Sequence, residues 1–298
     1  MGRRFALASL FVPLVAGLIG IGAGAASAAK PETLRGNGHG HEFKSKDNKA
    51  LGIGLGLIQN LQNHGGPVLT SSPASVKAIY WGTSWSNSTF TGDKQSGLDL
   101  FYAGWSGSGY STTTTEYPGS NGQTSGIVNY AGHLVDTSAG PTSAPSTATI
   151  LAEVSKMVAS PVAHGYYPVY VDLKRGSAGY CAWHDTGTVH GVQVEVGFFF
   201  NLDGDSGCNP ADTSGNHSQG LAALANVSGH ELSEAKTDPQ LNAWYDRQGN
   251  ENADKCAWKF HNLSHFSNGS VWKIQGNWSN NAYNNNTGYA NRGCIDGN

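Results

Sequence analysis

The segment His230-Glu231-Leu232-Ser233-Glu234 sets an imidazole and a carboxylate four residues apart, with a second carboxylate beside the imidazole. On an α-helix such positions share a face, so His230 and Glu234 can converge on one cation. The pattern is that of the H-E-x-x-H zinc helix with its second histidine replaced by glutamate. In that arrangement Glu231 stands beside the water that the metal activates and can take its proton.

Zinc accepts carboxylate oxygen as well as imidazole nitrogen, and catalytic sites usually combine three protein ligands with one open position. Zn2+ is the expected ion. An all-carboxylate complement around a single histidine would tilt preference toward Mn2+ or Ca2+. Glu251 lies beyond the helix end and a turn, where the chain can fold back and present it as third ligand. Asp254 could share that face or instead orient His230. Asp238 and His184 stand as further alternatives. A plainer reading competes: polar residues on a helix often form its solvated face, and Glu251 and Asp254 would then belong to a surface turn.

The helix carrying the motif is expected from about Ser218 to Lys236, with Leu221, Leu224, Ala225, Val227, Ser228 and Leu232 as its packing side. Asp238 precedes Pro239, a position biased away from helix. A second helix opens after Pro145, where Ile150, Leu151, Val154, Met157 and Val158 line one face. Val76–Trp81 and Tyr166–Asp172 read as strands, Gly126–Tyr130 as another, and Val189–Phe200 as one long alternating strand. Leu98–Ala103 is either a strand or the end of a helix that begins near Thr91. These elements predict an α/β (α+β) fold, a mixed sheet with a backing helix and a metal-motif helix.

Arg3-Arg4, the apolar run Phe5–Ala26 and the small residues Ala26-Ser27-Ala28 predict a signal peptide over 1–28. Residues 29–63 read as a flexible leader or propeptide. Its His39-Gly-His41 is taken as part of a polar tail rather than as a metal site. Residues 64–298 then form a single domain. Export suits four cysteines, Cys181, Cys208, Cys256 and Cys294, as two disulfides. Three pairings are open, and we favour Cys181 with Cys208 and Cys256 with Cys294 because each closes a local loop.

Charged residues make up only 13% and the net charge is −3, which gives no reason to expect nucleic acid as partner. No second apolar span follows the leader, so no membrane span is expected, and a monomer is. Asp203-Gly-Asp205 starts like a calcium loop but has Ser214 where the bidentate glutamate belongs, so it is read as a turn. Trp244, Tyr245 and Trp258 near the motif could stack on sugars, although core packing is the default for each.

At these residues the chain resembles the EXORDIUM or phosphate-induced protein 1 family, known from plant cell walls and with bacterial relatives. The matching pieces are His64-Gly-Gly-Pro-Val-Leu, Ile79-Tyr-Trp-Gly, Cys181-Ala-Trp-His184, and His230–Asp246 running into Glu251-Asn-Ala-Asp-Lys-Cys256. Bacterial-type members are most similar, because plant members tend to have Asn-Pro at Asp238-Pro239. The resemblance implies an extracellular protein, in plants associated with growth and phosphate response. It also implies that His230, Glu231, Glu234, Glu251 and Asp254 form one site, but supplies no substrate. Element order is similar to that of a zincin, in which an edge strand near Val189–Phe200 could pair with an extended peptide. The leading expectation is a secreted zinc-dependent metallohydrolase acting on a peptide or a cell-wall polymer. The alternative is a non-catalytic wall-associated protein with a structural metal or carboxylate cluster, or a carbohydrate-binding one.

Overall fold

The computed structural model describes Gly2 and residues 38–48, 60–70 and 75–298; the expected signal peptide lies outside the described residues. Six strands form one mixed sheet: β1 (His41–Lys44), β2 (Ser75–Trp81), β3 (Asn129–Asp136), β4 (Tyr166–Lys174), β5 (Tyr180–Val189) and β6 (Val192–Asn201). Their spatial order is β1-β5-β6-β4-β2-β3. β6, β4, β2 and β3 run parallel, whereas β5 is antiparallel to β6 and β1 antiparallel to β5. Residues 166–171 of β4 are all buried, as suits a strand covered on both faces by parallel neighbours and helices.

The stretch read as one strand from Val189 to Phe200 is divided by a hairpin turn. His190 and Gly191 take φ of 49° and 80° between the paired Val189 and Val192, the left-handed conformations a two-residue hairpin loop requires. β6 therefore lies inside the sheet, between β5 and β4, and is not an edge strand. Gly38–Asn48, expected to be a polar tail, is held against the sheet around β1 because Phe43 is fully buried there.

Three helices cover the sheet: α1 (Lys94–Trp105), α2 (Thr147–Met157) and α3 (Gln219–Thr237). Leu98–Ala103 is helical, since Leu98, Phe101, Tyr102 and Trp105 follow helical spacing and bury one face. Side chains alternate across β5, so its two faces meet different helices. Gly187 faces Leu151 of α2, and Thr147 of α2 donates to Asp185 Oδ2 (2.6 Å), whereas His184 faces α3. Hydroxyls tie the layers together: Tyr170 of β4 is 2.7 Å from both Tyr102 of α1 and Ser228 of α3.

Beyond α3 the chain makes short ribbons, a 3₁₀ turn at Asp254–Cys256 and a one-turn helix at Asn280–Asn284. The disulfides join Cys181 to Cys208 and Cys256 to Cys294. The second disulfide lies in a small separate core with Leu61, Tyr117 and Trp278. Among the described residues no helix is long and apolar enough to cross a membrane.

On α2, Glu153 is buried beside Asp136 and Lys156; burial and then the Asp136 carboxylate push its carboxyl up to about 7. A carboxyl whose folded pKa exceeds its unfolded one supports folding below the unfolded value and loses that contribution as pH rises through the folded one. Glu153→Gln should therefore raise Tm at pH 8 and leave it nearly unchanged at pH 4. Thermal melts at both pH values check this, and equal shifts at the two would count against it.

Candidate metal centre

α3 starts where Ser218 accepts a hydrogen bond from the Leu221 N–H (3.1 Å), while Asp93 holds the Ser218 backbone and hydroxyl. Every residue from Gly220 to Thr237 is buried, so this helix has no solvated face. That removes the plainer reading of His230, Glu231 and Glu234 as surface residues. A helix packed on all sides need not confine its apolar groups to one stripe. The helix ends at Asp238, whose Oδ1 accepts the Ala243 N–H (2.6 Å) and turns the chain back toward α3.

Three imidazoles and four carboxylates meet around Glu234. The side chains fall into three groups whose donor atoms lie within 4.8 Å of one another: His230, Glu234, Asp254; His184, Glu231, Glu234; and His41, Glu234, Glu251. Glu234 belongs to all three. His230 Nε2 is 3.1 Å from Glu234 Oε1 and 3.6 Å from Asp254 Oδ1. His184 Nδ1 is 3.1 Å from Glu231 Oε2 and 3.6 Å from Glu234 Oε2, and its Nε2 is 3.6 Å from Glu251 Oε2. His41 bonds Asp254 through Nε2, with Nδ1 at 3.9 Å from Glu251 Oε1.

Backbone bonds lock the returning loop to the helix. The Asp254 N–H donates to Glu234 Oε1 (3.0 Å), and the Glu251 N–H to Asp254 Oδ2 (3.0 Å). Asn252 Nδ2 donates to the Ser233 carbonyl of α3 (3.2 Å). The loop beyond the helix thus folds back as the spacing of Glu251 and Asp254 suggested. Glu251 shares a group with His41, whereas His230 shares one with Asp254. Among the described residues Asp238 belongs to none of the groups.

His184, His230, Glu231, Glu234 and Glu251 are all 0% exposed. The only openings are slight, at the His41 (12%) and Asp254 (13%) side chains. Burial pushes the Glu231 carboxyl well above the usual range, and the neighbouring Glu234, Asp254 and Glu251 charges add to it. Burial lowers His230 to about 4, against the pull of Asp254. Asp254 feels an upward push from burial, but His41, His230 and the Glu251 N–H outweigh it and hold the carboxyl below its usual value.

Buried His, Glu and Asp side chains in this arrangement could hold a metal ion. The donor set fits a divalent cation, because four carboxylates at one buried point need counter-charge that three imidazoles alone do not match. Gln275 sets the cost at His230. Its amide nitrogen donates to the Ala253 carbonyl (2.8 Å) and its oxygen accepts from the Trp258 N–H (3.1 Å), which fixes its orientation. The same nitrogen lies 3.0 Å from His230 Nδ1, so Nδ1 accepts and the proton sits on Nε2. A cation on Nε2 must displace that proton and turn the Gln275 carbonyl inward.

Two residues of the centre carry little signal in the sequence. His41 is marked only by the short His-Gly-His pattern, and Gln275 by nothing. The Asp203-Gly-Asp205 segment is a turn as read: Asp203 pairs with Lys94, and Asp205 accepts from Arg175 Nε (2.7 Å) and the Cys208 N–H (2.8 Å). Trp258 stacks on Phe43, and the Trp244 indole bonds the Pro118 carbonyl. The chain matches no protein-family model, no curated protein and no solved structure.

Proposed function

We propose that the protein is an exported, metal-dependent hydrolase acting on peptide bonds. The observation that carries this reading is Glu234, shared by three ligand groups, with the Glu231–His184 pair beside it. His230, Glu234 and Asp254 hold the ion, because this group joins the two ends of the helix motif to a loop carboxylate that reaches solvent. Bound Zn2+, or Mn2+ on the same ligands, would supply Lewis acidity and lower the pKa of water. Glu251 fixes Asp254 through its N–H, and His184 holds Glu231 in place to take a proton and return it. The two disulfides and the motif resemblance to EXORDIUM-type proteins support an extracellular setting.

Closure of the cluster favours a second reading, a structural metal that braces α3 against the C-terminal loop. Structural sites are closed, and five members of this one are fully buried. Elemental analysis of the purified protein after dialysis tests the metal: about one equivalent in the parent and none in His230→Ala is expected. Turnover of labelled casein separates the two readings. Glu231→Gln should keep the metal and lose turnover by on the order of 100-fold or more. Undiminished turnover in that variant would remove Glu231 as the base.

A further inference from the structure

We propose that the outer edge of β5 is a binding site for an extended peptide with glycine followed three residues later by an aromatic side chain, and that β1 is the chain's own occupant of it. As to substrate, the inference rests on the hydrolase reading.

β1 pairs antiparallel with β5, His41 against His184, Glu42 against Trp183 and Phe43 against Ala182. This is main-chain recognition of an extended strand, with alternate side chains supplying the selectivity. Gly40 stands where a Cβ would lie 1.8 Å from the His184 carbonyl oxygen and 2.6 Å from Asp185 Cβ, so only glycine fits. Phe43 fills the other anchor point. Its ring stacks on His230 at 3.8 Å and on Trp258 at 4.6 Å between centroids. Its backbone N–H faces the Glu231 carboxylate. His39 stacks on Trp183 at 5.2 Å, and His41 bonds Asp254.

The anchors of β1 thus land on the metal centre itself. Phe43, which is fully buried, lies against His230, and His41 covers the only ligand with an opening to solvent. While β1 is seated, the cluster is closed, its most exposed side chains being His41 at 12% and Asp254 at 13%. For the cluster to act on a polymer, β1 must leave, and what replaces it has to satisfy the same edge, the same glycine-sized gap and the same aromatic slot.

The test uses the full chain and a fluorescein-labelled peptide with the sequence of residues 38–46. Gly40→Val forces a side chain against the β5 backbone and should unseat β1. Phe43→Ala removes the anchor without a clash and is the second variant. Near-UV circular dichroism reports whether each variant is folded. Both should bind the peptide about tenfold or more tighter than the parent, whose edge is occupied. A peptide with alanine at the phenylalanine position should lose that binding. The proposal is overturned if either folded variant binds no better than the parent, if both peptides bind alike, or if both variants fail to fold, which would make β1 an obligatory strand. No readout here requires turnover, so absence of metal or of hydrolysis would remove the hydrolase reading, and with it the substrate role, without touching the peptide site itself.

Discussion

Glu234→Ala is expected to abolish metal retention and to loosen the corner of the molecule that carries Glu251 and Asp254. The Glu234 carboxylate is fully buried, accepts the Asp254 N–H at 3.0 Å and lies 3.1 Å from His230 Nε2. Truncation leaves a buried N–H without its acceptor, about 1–3 kcal/mol, and a cavity in place of the carboxymethyl group. Relief of repulsion among the remaining three carboxylates offsets part of this. The net loss in metal-free protein should be about 2–4 kcal/mol by chemical denaturation. Affinity for the cation should fall by more than about 100-fold, since removing a ligand costs more than removing the group that supports one. Glu234→Gln keeps an acceptor for Asp254, so it should lose the metal while staying within about 1 kcal/mol of the parent in chelator. A full equivalent of metal in dialysed Glu234→Ala would mean that the ion, if present, is centred elsewhere.

The second large effect concerns the disulfide between Cys256 and Cys294. Cys256 ends the 3₁₀ turn that begins at Asp254, and the two cysteines are 38 residues apart. Releasing a loop of that length costs about 4 kcal/mol in chain entropy, within the usual range for native disulfides. Apart from the Asp254 and Asn252 bonds to α3 the turn has no sheet ladder to hold it, so Asp254 should drift and metal affinity should fall with stability in the Cys256→Ala/Cys294→Ala variant. Cys181→Ala/Cys208→Ala is the control. Its loop is of similar order, 27 residues, but Cys181 sits in β5, which β1 and β6 hold from both sides. That variant should lose comparable stability while His184 stays in place and the metal is retained. Equal loss of metal from both variants would show that global stability, not the position of Asp254, governs the site.

The legible part of the site was the part written in local spacing. His230, Glu231 and Glu234 follow from helical geometry, and Glu251 and Asp254 from closeness to a turn after the helix. α3 itself was legible through the packing residues Leu221 to Leu232 and the Asp238-Pro239 break. Long-range pairing was not. His41 reaches the cluster only because β1 pairs with β5, and no periodicity in a four-residue strand announces a partner so distant in sequence. The β5–β6 hairpin was hidden for a different reason. Alternation continues on both sides of His190-Gly191, so the turn leaves the pattern unbroken, and the strand placed at the sheet edge proved to be inside it. Gln275 decides the tautomer of His230, yet a lone glutamine far from the motif gives no warning of that.

The two edges of the sheet are protected in different ways. β3, at one end, carries an extra residue where its register with β2 slips near Gly132, and its His133 and Asp136 are engaged with Asp99 and Lys156. A bulged edge studded with charge is a poor template for a second sheet. β5 has no such device over Tyr180-Cys181-Ala182-Trp183, all buried, and β1 is what covers it. Once bare, that edge is a flat aromatic strand with unpaired amides, the kind of surface on which chains join into oligomers or aggregates. The short strand that covers the His and carboxylate cluster therefore also pairs the β5 edge that would otherwise be open to a second chain.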